Sequence, residues 1–103
     1  MNESLNKALR IIIKIADPNK VILFGSYALG MENHESDIDL LILKKGIKKR
    51  RKLAQLLYSK LIQIGAPIDI IVNELIEFDE LKKNPFLIYQ TIEKEGIIIY
   101  EKK

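Results

Sequence analysis

Hydrophobic positions fall into alternating helical and strand-like patterns along the chain. From Ser4 to Ala16, Leu5, Ala8, Leu9, Ile12, Ile15 and Ala16 recur every three or four residues, which predicts an amphipathic helix ended by Asp17-Pro18. Val21 to Phe24 is a short apolar run, predicting a buried strand that stops at Gly25. Ser26 opens a short helix, a polar loop spans Gly30 to Glu35, and Ser36 to Leu43 predicts a second strand. Ile47 to Ile64 predicts the next helix, with Leu53, Leu56, Leu57, Leu61 and Ile64 along one face, Gly65 as its cap and Pro67 blocking continuation. Ile68 to Val72 is rich in β-branched residues and predicts a third strand, interrupted by Asp69. Asn73 to Lys83 reads as a charged connection with room for a helical turn. Asn84-Pro85 then predicts a helix start, with the amide as cap and proline at the first position. That helix carries Leu87, Ile88 and Ile92 and ends at Gly96, and Ile97 to Tyr100 predicts a closing strand.

This order implies an α/β fold, a small sheet covered by helices mainly on one side. Its 103 residues predict one domain over 1–103, with a core that is small for an enzyme binding two substrates. Hydrophobic residues make up 48% and charged residues 30%, with a mean hydropathy of +0.01, which is a soluble globular balance. There is no cysteine, so disulfides, thiolate metal sites and cysteine nucleophiles are excluded, and a reducing cytoplasm is the expected location. No apolar run approaches membrane-spanning length, and no export signal is recognisable.

Candidate chemistry gathers between Lys20 and Leu43. Gly25 lets the backbone turn sharply and a ligand come close, and the helix start at Ser26 presents unpaired N–H groups suited to phosphate. Asp37 and Asp39 stand two apart on a predicted strand and so project together, and paired carboxylates at the head of an apolar strand call for a cation. Asp69 lies in an apolar run, where an ionised carboxylate needs compensation from a Lys, an Arg or a metal. If its strand adjoins that of Asp37 and Asp39, three carboxylates converge, and the metal reading leads.

Gly25-Ser26, then Ser36-Asp37-Ile38-Asp39-Leu40-Leu41-Ile42, then an Asp in a later apolar strand, closely resembles the nucleotidyltransferase superfamily that includes DNA polymerase β. More narrowly it resembles the minimal nucleotidyltransferases encoded beside HEPN-domain partners, over nearly the full chain. The resemblance implies that family's fold, with a small mixed sheet, and transfer of AMP from ATP to a hydroxyl with release of pyrophosphate. It assigns β- and γ-phosphate binding to Gly25 and Ser26, and two Mg²⁺ ions to Asp37, Asp39 and Asp69. Asp69 is also assigned the hydroxyl proton. The expected acceptor is a tyrosine of a HEPN-domain toxin, in a type VII-like toxin–antitoxin pair. The alternative is a silent antitoxin that inhibits a HEPN ribonuclease by contact alone, while an antibiotic-modifying transferase would need an acceptor domain that this length leaves no room for.

Lys44, Lys45, Lys48, Lys49, Arg50, Arg51 and Lys52 form a dense basic run, unfavourable at a helix start and so suggestive of a partner. A solvated face is the commoner meaning of such a run. An acidic face of the toxin is the expected partner, and direct nucleic-acid binding is not favoured. His34 is given no role. Tyr27 either stacks on a base or packs.

Overall fold

The computed structural model describes residues 2–33 and 36–103. His34 lies outside the described residues. Helix α1 (Glu3–Ala16) leads to β1 (Lys20–Phe24), a 3₁₀ turn at Gly25–Tyr27 and β2 (Ile38–Lys44). Helix α2 (Arg50–Leu61) continues through a 3₁₀ turn at Ile62–Ile64 to β3 (Ile68–Glu74). Helices α3 (Leu75–Leu81) and α4 (Ile88–Glu95) precede β4 (Ile97–Glu101). The sheet order is β3-β2-β1-β4, with β2 and β3 parallel and the other two pairs antiparallel.

Alternation along the central strands feeds two cores. Val21, Leu23, Leu40 and Ile42 face α1 and α2, where Leu5, Ala8, Ile12, Leu57 and Leu61 complete the larger cluster. Each of the Val, Leu and Ile side chains among them contributes about 1.5–3 kcal/mol by leaving water. Ile22, Phe24, Leu41 and Leu43 face the other way, onto Phe78 of α3 and Ile92 of α4. This second cluster is smaller, so the sheet is covered mainly on one side.

Local chemistry sets the boundaries. The Asn2 side chain caps α1 by accepting from the Leu5 N–H at 2.7 Å, and Asp17 closes it in the left-handed region at φ 46°. Gly65, at φ 79°, caps the turn after α2 as the sequence predicts. The start of α2 lies later than the hydrophobic pattern implies, because Glu74 accepts from the N–H groups of Gly46 (3.0 Å) and Ile47 (2.6 Å) and holds that stretch as a loop. The connection after β3 contains a full helix, since Glu74 and Glu77 form a reciprocal capping box. Asn84-Pro85 does not begin the last helix: the Asn84 side chain accepts from the Phe86 N–H at 2.9 Å, closing a turn, and α4 starts at Ile88. At the sheet edge, the Tyr58 hydroxyl accepts from the Ile70 N–H at 2.9 Å and lies 3.3 Å from its carbonyl oxygen, occupying the outer side of β3.

Candidate active site

The smaller face of the sheet carries the candidate chemistry. Asp37 precedes β2, and Asp39 continues the alternation that places Leu41 and Leu43 in the smaller core. Asp39 is paired across the parallel ladder with Asp69 and across the antiparallel one with Phe24. Helices α3 and α4 pack over Leu41, Leu43 and Ile71 but leave the acidic end of this face open.

Asp37, Asp39 and Asp69 each offer a carboxylate oxygen, and the three oxygens lie within 4.8 Å of one another. The sequence reading placed Asp69 in an apolar surround, whereas it is exposed, because β3 is an edge strand and the covering helices stop short of its first residues. Among the described residues no Lys or Arg forms an ion pair with any of the three, which removes the salt-bridge alternative. Partial burial, then the charges of Asp69 and Asp37, push the Asp39 carboxyl above its usual range. Asp69 is pushed up by partial desolvation, by a hydrogen bond with Asp37 and by the Asp37 charge. Mutually repelling oxygens at this spacing fit a hard divalent cation, since oxygen is the donor that magnesium prefers and a cation relieves the repulsion.

Gly25 lies against this cluster at φ 73°, a conformation that side chains disfavour. A Cβ there would clash with Asp39 Oδ2 and sit 3.3 Å from its Cγ. Glycine is therefore needed both for the turn and for the approach of the turn to the carboxylate. The element opened by Ser26 is a single 3₁₀ turn, too short for an α-helix dipole, so any anion affinity rests on N–H groups and the Ser26 hydroxyl. The turn's internal hydrogen bonds are donated by Ala28, Leu29, Gly30 and Met31 to the carbonyls of Gly25, Ser26 and Tyr27, leaving the Ser26 and Tyr27 N–H groups out of that set. Tyr27 packs against the larger core.

Leu29 and Met31 are two residues that the periodicity gave no means of noticing. Both are exposed on the loop from the turn to the acids, and the Met31 N–H donates to the Ser26 carbonyl at 2.9 Å, folding the loop back. Isolated apolar residues in a polar loop carry no periodic signal. The basic run is not part of the site, since it begins at Lys44, the opposite end of β2 from Asp39.

A family profile described as Polymerase beta, Nucleotidyltransferase matches residues 6–103. MJ0604 of Methanocaldococcus jannaschii, which carries the name of a protein adenylyltransferase, is 35% identical over 83 residues, covering 79% of this chain and 77% of its own. A crystal structure of a toxin–antitoxin with AMP-PNP superposes with a TM-score of 0.66 at 23% identity, over 99% of this chain and 76% of that one. A toxin–antitoxin MntA–HpeT variant gives 0.62 at 25% identity, over 100% and 75%. A nucleotidyltransferase structure from Sulfolobus solfataricus gives 0.58 at 23% identity, over 99% and 90%. With the carboxylate cluster, the glycine turn and the mixed sheet in place, the profile match over nearly the whole length establishes that this chain belongs to the polymerase β-type nucleotidyltransferase family.

Proposed function

We propose that this nucleotidyltransferase moves AMP from ATP to a tyrosine hydroxyl of a HEPN-domain toxin and so acts as that toxin's antitoxin in the cytoplasm. The observation that carries the reading is the convergence of Asp37, Asp39 and Asp69 beside the Gly25 turn. The protein adenylyltransferase name of the 35% identical relative supports protein as acceptor, and the toxin–antitoxin structures that share the fold support a toxin partner.

In this reading Gly25 and Ser26 hold the β- and γ-phosphates through backbone N–H groups, with no side chain at Gly25 to block their approach. Asp37 and Asp39 hold one magnesium, and Asp69 joins them in holding a second. Magnesium at these carboxylates supplies charge neutralisation for the triphosphate and acidifies the incoming hydroxyl. Asp69 accepts the hydroxyl proton, a role supported by its exposure at the open end of this face, where an incoming hydroxyl can reach it. The tyrosine oxygen forms its bond to the α-phosphorus as the bond to pyrophosphate breaks. The adduct adds charge and bulk where RNA phosphates must bind, which blocks cleavage by the toxin.

The test is to incubate the protein with ATP, Mg²⁺ and the protein encoded by the neighbouring gene, weigh that partner intact and assay its RNA cleavage. The expected result is a mass gain in whole AMP units with parallel loss of cleavage. Inhibition at unchanged mass overturns the transferase reading in favour of inhibition by contact alone.

A further inference from the structure

Five cations follow β2 at the end opposite Asp39. Lys45, Lys48, Lys49, Arg51 and Lys52 are exposed and, among the described residues, form no ion pair. The neighbouring charges are already engaged. Lys44 donates to the Asp17 carbonyl at 3.0 Å, Arg50 pairs with Glu77, and both Glu74 oxygens hold the backbone of Gly46 and Ile47. Asp79, which lies near Lys45, pairs with Lys82 at 3.4 Å. Its position is also unfavourable, because α2 begins at Arg50 with no side-chain cap and no acid in its first turn. Cations against the positive end of a helix cost about 0.3–1 kcal/mol each. An external polyanion would offset that cost.

The composition of the patch selects among polyanions. Protein interfaces are centred on apolar or aromatic anchors, yet the only large apolar residue between Lys44 and Lys52 is Ile47, which packs against the larger core. The hollow beside Lys45, lined by Glu74, Leu75, Ile76 and Asp79, belongs to the end of β3 and to α3, outside the run. Single-stranded nucleic acid is held largely by aromatic stacking, and the run contains no aromatic residue. A duplex presents about one phosphate charge per 1.7 Å and needs neither anchor nor stacking platform. From Ile38 to Lys44, β2 spans six steps of about 3.3 Å, which places the patch roughly 20 Å from the acidic cluster.

We infer that the surface formed by Lys45, Lys48, Lys49, Arg51 and Lys52 binds the phosphate backbone of a nucleic-acid duplex, without sequence readout and independently of the acidic site. This goes beyond the transferase reading and does not rest on it.

The test is fluorescence anisotropy of a labelled DNA duplex of about 20 base pairs titrated with the protein from 50 to 200 mM salt. Three to five neutralised phosphates give a log–log slope of roughly −3 to −4.5, a loss of roughly 50- to 500-fold in affinity over that range. The double variant K48E/R51E is expected to weaken binding at least tenfold while leaving the thermal midpoint and Mg²⁺-dependent ATP binding unchanged. Stronger binding to a single strand of the same length, or to polyglutamate, overturns the inference, as does duplex binding that the double variant retains. Absence of duplex binding at 50 mM salt also overturns it.

Discussion

Asp39 and Asp69 face each other across the parallel β2–β3 ladder, and each has its pKa raised. Sequence separation of thirty residues becomes adjacency because β3 returns beside β2 in the same direction, after α2 has crossed one face of the sheet. The pairing is unfavourable without a cation, and the consequences are measurable.

For Asp39, the folded protein without metal retains a proton that the unfolded chain releases. Stability therefore falls as pH rises from the ordinary value of 3.8 through the raised one. Asp39→Asn is expected to raise the melting temperature of the metal-free protein by a few degrees at pH 7 and to have no effect near pH 3. The same substitution should weaken Mg²⁺-dependent ATP binding by on the order of tenfold or more. Calorimetry over both pH values and with chelator checks the sign.

Asp69→Asn separates binding from chemistry. Removing the proton acceptor should leave ATP affinity within about threefold but lower the transfer rate by roughly 10²- to 10⁴-fold. Binding isotherms beside single-turnover transfer assays measure the two, and equal losses in both would assign Asp69 to binding alone.

Gly25→Ala introduces a Cβ at φ 73° and against Asp39 Oδ2. The left-handed conformation costs about 1–2 kcal/mol, which lowers the melting temperature by roughly 5–15 °C, and the displaced carboxylate should abolish ATP binding. The fold is expected to survive, as judged by circular dichroism. ATP binding at the unsubstituted level would remove the phosphate role from this turn.

Glu74→Ala tests a support distant from the site. Losing the acceptor for Gly46 and Ile47, and the cap of α3, should cost about 2 kcal/mol and lower the melting temperature by roughly 8–16 °C. Transfer per folded molecule should be unchanged, because Glu74 lies at the opposite end of β3 from Asp69.

Gly96 separates what the local pattern could say from what it could not. It follows the last helix as the sequence predicts, but its φ is −72°, so it is not a left-handed cap. Glycine is required because a Cβ would meet the Ile92 carbonyl and Ile22 Cγ2, a contact made when α4 settles on β1. The same distinction runs through the site. Local periodicity sufficed for the order of helices and strands, because an apolar run is a property of consecutive positions, whereas Asp37 stands just before β2 rather than on it and reaches Asp39 from the loop. Tertiary structure decided that β3 pairs with β2 in the register that sets Asp69 against Asp39, and that α3 and α4 leave this end of the face open. It also decided that Glu74 takes the N–H groups of a loop 27 residues away in sequence, delaying the start of α2. These outcomes depend on which buried surfaces meet and on which polar groups must then be satisfied. Both conditions are fixed only when distant segments pack together.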